Sequence, residues 1–268
     1  MSCEDRGIVS IHAYSPGQRV DFYEEVEDKT STALVWIYFP LSKSKGETIT
    51  AGWVRELNTS INDRRLAILS TSHQRNRAFG PYIPANYRDA YRFHLIGKEP
   101  GFPVTGICYN DMGIASRTQF KFCLLHGAAK TDSYEDVDPQ SSFGSIRNLP
   151  ESPIQLWFCS SASLDGVEQV RVCVDDRKEH LPCVGMLLIY ANHEESLGQW
   201  RNDRHIEDIK LSGSICISTG NAEAGPYVRA IANHKEGTDK GWREITLMGT
   251  IIWWFTPMCS HVDIESGD

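Results

Sequence analysis

Apolar and polar positions alternate in twos along much of this chain, which is the period of a β-strand with one buried face. The stretch QVRVCVD sets Val170, Val172 and Val174 on one side and Arg171, Cys173 and Asp175 on the other. Two stretches break the alternation. ALVWIYF and GMLLIYA are apolar throughout, as expected of central strands covered on both faces. QFKFCLL, GSICIST and GTIIWWF are rich in β-branched and aromatic residues and read as further strands. Gly, Pro, Asn and Ser punctuate them, the signature of a sandwich or barrel. Only YRDAYRFHLIG has a helical look, and it reads equally well as a strand entering a turn.

The pattern also repeats. An apolar strand ends in Ile37-Tyr38 and another in Ile189-Tyr190. A polar turn follows each, carrying Glu47 in one and Glu194-Glu195 in the other. Next come Gly52-Trp53-Val54-Arg55 and Gly198-Gln199-Trp200-Arg201. Gly-Pro-Tyr then appears at 80–82 and 225–227. The offsets of 152, 147 and 145 differ by what loop-length changes absorb. The expectation is an all-β protein made of two diverged antiparallel modules in a pseudo-twofold relation, residues 1–130 and 154–268. Between them, 131–153 is acidic, rich in Ser and Pro, and aperiodic. A seam between repeats is a usual place for a ligand.

Composition narrows the partners. The chain has 268 residues, of which 41% are hydrophobic and 23% charged, an ordinary globular balance. Its net charge of −8 and lack of a Lys/Arg run disfavour nucleic acid and anionic membranes. No stretch approaches the roughly 20 apolar residues of a membrane span. The opening MSCEDRGIVS is acidic and not apolar, so a cytoplasmic address is expected, with the eight cysteines as reduced thiols. Nothing in the composition speaks against self-association.

Familiar catalytic and metal signatures do not appear. Cys123-x-x-His126, His180-x-x-Cys183 and Cys259-x-His261 lack the paired partner a zinc site uses. The acidic DSYEDVD run lacks calcium-loop spacing. Neither glycine-rich phosphate motif is present, and no Gly-x-Ser-x-Gly elbow. No metal and no cofactor is therefore expected.

What stands out is seven Trp and ten Tyr. Trp36 and Trp157 sit in strand patterns and read as core. Trp253 and Trp254 are adjacent, so they point to opposite faces of one strand, and one of them is expected to line a groove. Trp53, Trp200 and Trp242 lie beside Gly and Arg, where an indole and a guanidinium can stack and donate together. Tyr82 and Tyr227 are held in fixed directions by Gly-Pro. Trp53, Arg55, Tyr82, Trp200, Tyr227, His234, Trp242, Trp253 and Trp254 are the candidate ligand contacts. His193, His205 and Arg201 are the candidate acid–base and charge-stabilising groups, since His titrates near neutrality.

The runs SSASLDGVEQVRVC, CVGMLLIYANHEESLGQWRND and GTIIWWF resemble a class of filamentous-fungal proteins carrying a lectin-like β-sandwich module akin to the jacalin type. The resemblance covers about residues 157–256. It implies lectin-like sandwiches, and two functions. One is a cofactor-free cyclase of fungal secondary metabolism, of the Diels–Alderase type, which acts by holding a reactive substrate in shape. The other is a cytosolic carbohydrate-binding protein. A protein-interaction domain with an exposed apolar patch is a third. Asymmetry between the halves favours the enzyme.

Overall fold

The computed structural model describes residues 1–4, 7–58, 65–97, 102–109, 122–128, 156–234 and 241–265. The acidic stretch 131–153 lies outside them. In chain order the strands are β1 (Ser2–Glu4), β2 (Gly7–Ser10), β3 (Val35–Trp36), β4 (Ile49–Leu57), β5 (Arg65–Thr71), β6 (Asn76–Phe79), β7 (Tyr91–Gly97), β8 (Val104–Tyr109) and β9 (Phe122–His126). They continue with β10 (Phe158–Ser163), β11 (Val167–Val174), β12 (Cys183–Tyr190), β13 (Glu194–Gly198), β14 (His205–Ile209), β15 (Ser214–Ala222), β16 (Gly225–Ala232), β17 (Trp242–Thr246), β18 (Thr250–Phe255) and β19 (Ser260–Glu265). The protein is mostly β, with most of its described ladders antiparallel and a parallel step between β2 and β5. No described helix is long and apolar enough to cross a membrane.

Two local expectations change. YRDAYRFHLIG holds the end of a short 3-10 turn, Ala85–Ala90, followed by strand β7. An α-helix, α1 (Phe22–Lys29), lies where no pattern pointed to one. It is only eight residues long and buries Tyr23 alone, too little for a helical period to show. Glu24 and Glu25 in its first turn and Lys29 in its last complement the helix dipole.

The chain divides into two compact units, one of Met1–Leu34 with Leu41–Leu149 and one of Val35–Pro40 with Pro150–Asp268. In the first, the strands run β1-β2-β5-β4-β7, with β6 against β5. Trp53 faces Ile68 across β4–β5, and these two with Ala51 form a buried cluster joined by Ala78 and Phe93. Beside this sheet Glu47 closes a loop. Its carboxylate accepts from Arg75 Nε and Nη2 at 2.7 Å each, from Thr71 Oγ1 at 2.7 Å and from the Ser42 N–H at 2.8 Å.

In the second unit the sheets are β10-β18-β19, β13-β12-β11-β14 and β16-β15-β17. Val170, Val172, Met186, Leu188 and Leu197 share one face of the four-stranded sheet and are at most 1% exposed. The other face is covered too. Cys173, Leu187 and Trp200 form a cluster there, with Tyr38, Val184, Ile189 and Ile206 packed against it. QVRVCVD is thus buried on both sides at its centre, because Trp200 and the Val35–Pro40 segment lie over the face that alternation left to solvent. That segment is tied in by the Trp36 N–H to Gln199 Oε1 at 3.2 Å and by Ser196 Oγ to the Tyr38 carbonyl at 2.5 Å.

Gly198 ends β13 at a φ of +65°, and its N–H donates to Ser160 Oγ at 2.8 Å. A methyl there would stand 2.5 Å from the Val184 carbonyl oxygen and 3.0 Å from Trp253 Cε2. Gly198→Ala is therefore expected to cost ~2–4 kcal/mol, from left-handed strain and overpacking together. Gly166→Ala is the control, since Gly166 has a φ of +77° but open space around it; it should cost only about 1 kcal/mol. Urea denaturation of the two variants separates strain from contact.

Burial by itself would raise the Glu47 pKa. The bonds from Arg75, Ser42 and Thr71, with the charge of Arg75, outweigh it and hold the carboxyl below its usual range. A depressed folded value means that Glu47 stabilises the fold above its unfolded pKa of about 4.3 and that this contribution is lost as pH falls through the lower folded value. Unfolding free energy measured from pH 7 down to pH 3 should fall more steeply in the parent than in Glu47→Gln.

Candidate functional site

The strand pair β15–β16 carries a β-bulge. Ser218 pairs with Ala230, but the next residue, Thr219, pairs with Val228, so Arg229 is the extra residue. Val228 is buried in the core, whereas Arg229 turns to the opposite face. There its Nε and Nη2 reach Ser218 Oγ at 2.9 and 2.6 Å. Ser218 also pairs with Trp242, the first residue of β17, so Trp242 shares that face. The guanidinium extends across β15 towards β17: a methyl on Gly241, the residue before Trp242, would stand 3.5 Å from Arg229 Nη2.

Tyr227 completes the face. It pairs with Gly220, two residues from Ser218 on β15 and hence on the same side. Its ring lies over Gly220, whose missing Cβ would sit 2.7 Å from Tyr227 Cζ. His180, exposed in the β11–β12 connection, meets the Tyr227 ring edge-on at 4.6 Å. Tyr227, Arg229 and Trp242 are each half-buried. Two aromatic rings and a guanidinium on one face can stack a planar ring and set positive charge beside its carboxylate or polarised carbonyl oxygen.

Of the candidates read from sequence, the structure brings Tyr227 and Trp242 to this face. Arg229, which no motif marked, joins them, as does His180, read from the sequence only as half of the His180-x-x-Cys183 pair. His234 is exposed just after β16, 2.5 Å from Asn233 Oδ1.

The other aromatic candidates are core. Trp253 and Trp254 are both 0% exposed, so the expectation that one of them lines a groove fails: β18 is the middle strand of its sheet and is covered on both sides. Trp53 and Arg55 are buried within the first unit, where Arg55 lies over the Tyr91 ring at 5.6 Å. Desolvation brings the Arg55 pKa down to about 10, with Tyr91 acting in the opposite direction. Trp200 is buried, its indole N–H donating to Asn202 Oδ1 at 3.2 Å. Tyr82 is half-buried, in the segment after β6.

The matched segments occupy different places. Trp53 sits in mid-strand and Trp200 beyond a strand end. Gly80-Pro81-Tyr82 follows a strand, and Gly225-Pro226-Tyr227 opens one.

The proposed acid–base groups do not converge. His193 lies in the β12–β13 turn, stacked on Tyr190 at 4.3 Å, beside the end of β11 marked by Val167. Tyr190 donates its hydroxyl to the Ser163 carbonyl, and burial raises its pKa. His205 pairs with Val174 at the other end of β11, 3.2 Å from Glu207. Seven residues of strand separate those ends by about 23 Å at ~3.3 Å per residue. Arg201 is occupied: Asp203 takes its Nε at 2.9 Å and its Nη2 at 2.8 Å, and its guanidinium lies 5.6 Å from the Trp36 ring centre. Asp203 also binds Arg204, whose Nε is 3.0 Å from Asp175. This nearly buried cluster locks the β13–β14 connection to the β11–β12 connection. Among the described residues, no three His, Cys, Asp or Glu side chains stand together as metal ligands.

The fold and the face define a mostly antiparallel β protein with one aromatic–guanidinium surface on its second unit. No family model, no curated protein and no solved structure matches the chain.

Gly220→Ala tests the face without touching the core. The atoms nearest the added methyl, at 2.7–2.9 Å, all belong to Tyr227, a half-exposed side chain that must shift outward to admit it. The melting temperature should stay within a few degrees of the parent, as for a surface change of about 0.5 kcal/mol. The His180 ring protons should lose the upfield ring-current shift that Tyr227 imposes, read by NMR.

Proposed function

We propose that this protein binds a small organic acid with a planar ring on the β16-β15-β17 face of its second unit. One observation carries this reading: Tyr227, Trp242 and the Arg229 guanidinium, which is bonded to Ser218, share one face of the β16-β15-β17 sheet. A neutral sugar would use the aromatic platforms but gains less from a charged fork held at that spot. The separation of His193 from His205 supports binding over acid–base turnover. Cyclisation of such a ligand by a cofactor-free enzyme needs no histidine pair, only shape and a donor at developing charge. Arg229 is the donor in that variant of the reading. Duplicated lectin-like sandwiches are not required, since the second unit supplies every group.

Calorimetry and indole quenching with a panel of aromatic and quinonoid carboxylates, beside neutral oligosaccharides, test this. Ring acids should bind and quench Trp242, which the Trp242→Phe variant identifies among the seven tryptophans. Arg229→Ala should weaken binding at least tenfold, about 1.4 kcal/mol. Arg229→Lys should recover only part, because lysine lacks the planar fork. Oligosaccharide binding that persists in Arg229→Ala would replace this reading with the carbohydrate one. Consumption of a bound ring acid without added cofactor would establish the cyclase variant.

A further inference from the structure

Two thiols differ from the other six. Cys3, Cys173, Cys183, Cys216 and Cys259 are buried and Cys159 is half-buried, but Cys108 and Cys123 are exposed. Burial pushes the Cys3 and Cys173 thiols up to about 12, so they stay protonated. The exposed pair lies in the first unit on the two-stranded antiparallel ladder β8–β9, where Cys108 is directly opposite Cys123. The neighbouring pair is Ile107 with Leu124. Leu124 is buried, its side chain packed where β4 and β7 carry Gly52 and Gly97. Alternation then sends Cys123, and Cys108 across from it, to the other face.

Residues directly opposite in an antiparallel ladder have Cα atoms about 4.5 or 5.5 Å apart. Both spacings fall within the ~4.4–6.8 Å that a disulfide spans. Rotation about the two Cα–Cβ bonds, with a small closing of the ladder, brings the sulfurs together.

We propose that Cys108 and Cys123 are a redox modification site, forming a reversible cross-strand disulfide with a low-molecular-weight disulfide as oxidant, of which oxidised glutathione is the probe. One thiolate attacks the glutathione disulfide, forming a mixed disulfide and releasing one glutathione thiolate. The second thiolate attacks the protein sulfur of that mixed disulfide and expels the other glutathione. The two cysteines lose two protons and two electrons, and the oxidant leaves as two thiols. The second step is intramolecular between residues already in register, so it outruns any external thiol.

The test treats the full chain with oxidised glutathione, quenches with acid and reads the intact mass and a tryptic map. The parent should lose two hydrogens and carry no glutathione. Its map should join the peptide 99–117 to 122–130, which hold Cys108 and Cys123. Cys108→Ser and Cys123→Ser should each accumulate one stable glutathione adduct, because the resolving thiol is gone. Cys159→Ser should behave as the parent. A dithiol reductant should restore both thiols. A parent that accumulates two glutathiones, or one that links Cys108 to any cysteine but Cys123, would overturn the proposal. Failure here leaves the ring-acid reading of the second unit untouched, since the two share no residue.

Discussion

A β-sheet that is apolar on both faces is stable only when both faces are covered, and the β11–β12 pair imposes that demand on the second unit. One side is met within the unit, where Val170, Val172, Met186, Leu188 and Leu197 are at most 1% exposed. The other side is met by Trp200 and by Val35–Pro40, a segment bonded to residues 158 and 163 positions away. The remaining architecture of that unit follows. Gly198 must turn left-handed so that Gln199 and Trp200 cross back over the sheet. Arg201 comes to lie on Trp36 and needs Asp203 to offset its burial. Asp203 in turn recruits Arg204, and Arg204 brings in Asp175. A buried charge cluster of this kind is costly to break and adds little when intact, so its role is to fix the register of two loops.

Much of the fold is legible in the residues. Period-two alternation locates β11 and the apolar runs locate β12 and β18, because side-chain burial in a sheet is a local, repeating property. ALVWIYF is legible as buried but not as a long strand: only Val35–Trp36 joins a ladder, while Leu34 to Ile37 are buried by tertiary contact. The helix at Phe22–Lys29 is not legible, since two turns that bury Tyr23 alone leave no period. The matched motifs at Trp53 and Trp200, and at the two Gly-Pro-Tyr steps, are similar in letters yet sit at different points of their strands. Short motifs report local turn and strand chemistry, which unrelated places can share.

The candidate face is half legible. Tyr227 and Trp242 are visible as aromatics beside Gly, Pro and Arg. The alternation Tyr-Val-Arg around Val228 turns Arg229 to the side of Tyr227, and that much is legible in the residues. What sequence does not carry is the bulge, which depends on the pairing of β15 with β16, or the approach of His180 from another sheet. Trp253 and Trp254 misdirect for a related reason. Adjacent residues on a strand must face opposite ways, but whether either side meets solvent depends on what covers a central strand.

The Val35–Pro40 segment has one more implication, for synthesis. These six residues leave the ribosome long before β12 and β13 exist to receive them. At 5–20 residues per second the delay is roughly ten to thirty seconds. Through that interval the segment lacks Gln199, which later accepts the Trp36 N–H, and the Cys173–Leu187–Trp200 cluster on which Tyr38 later packs. The nascent protein thus carries a greasy tag whose docking place is translated about 150 residues later, an interval in which a chaperone that shields short aromatic segments would find a client.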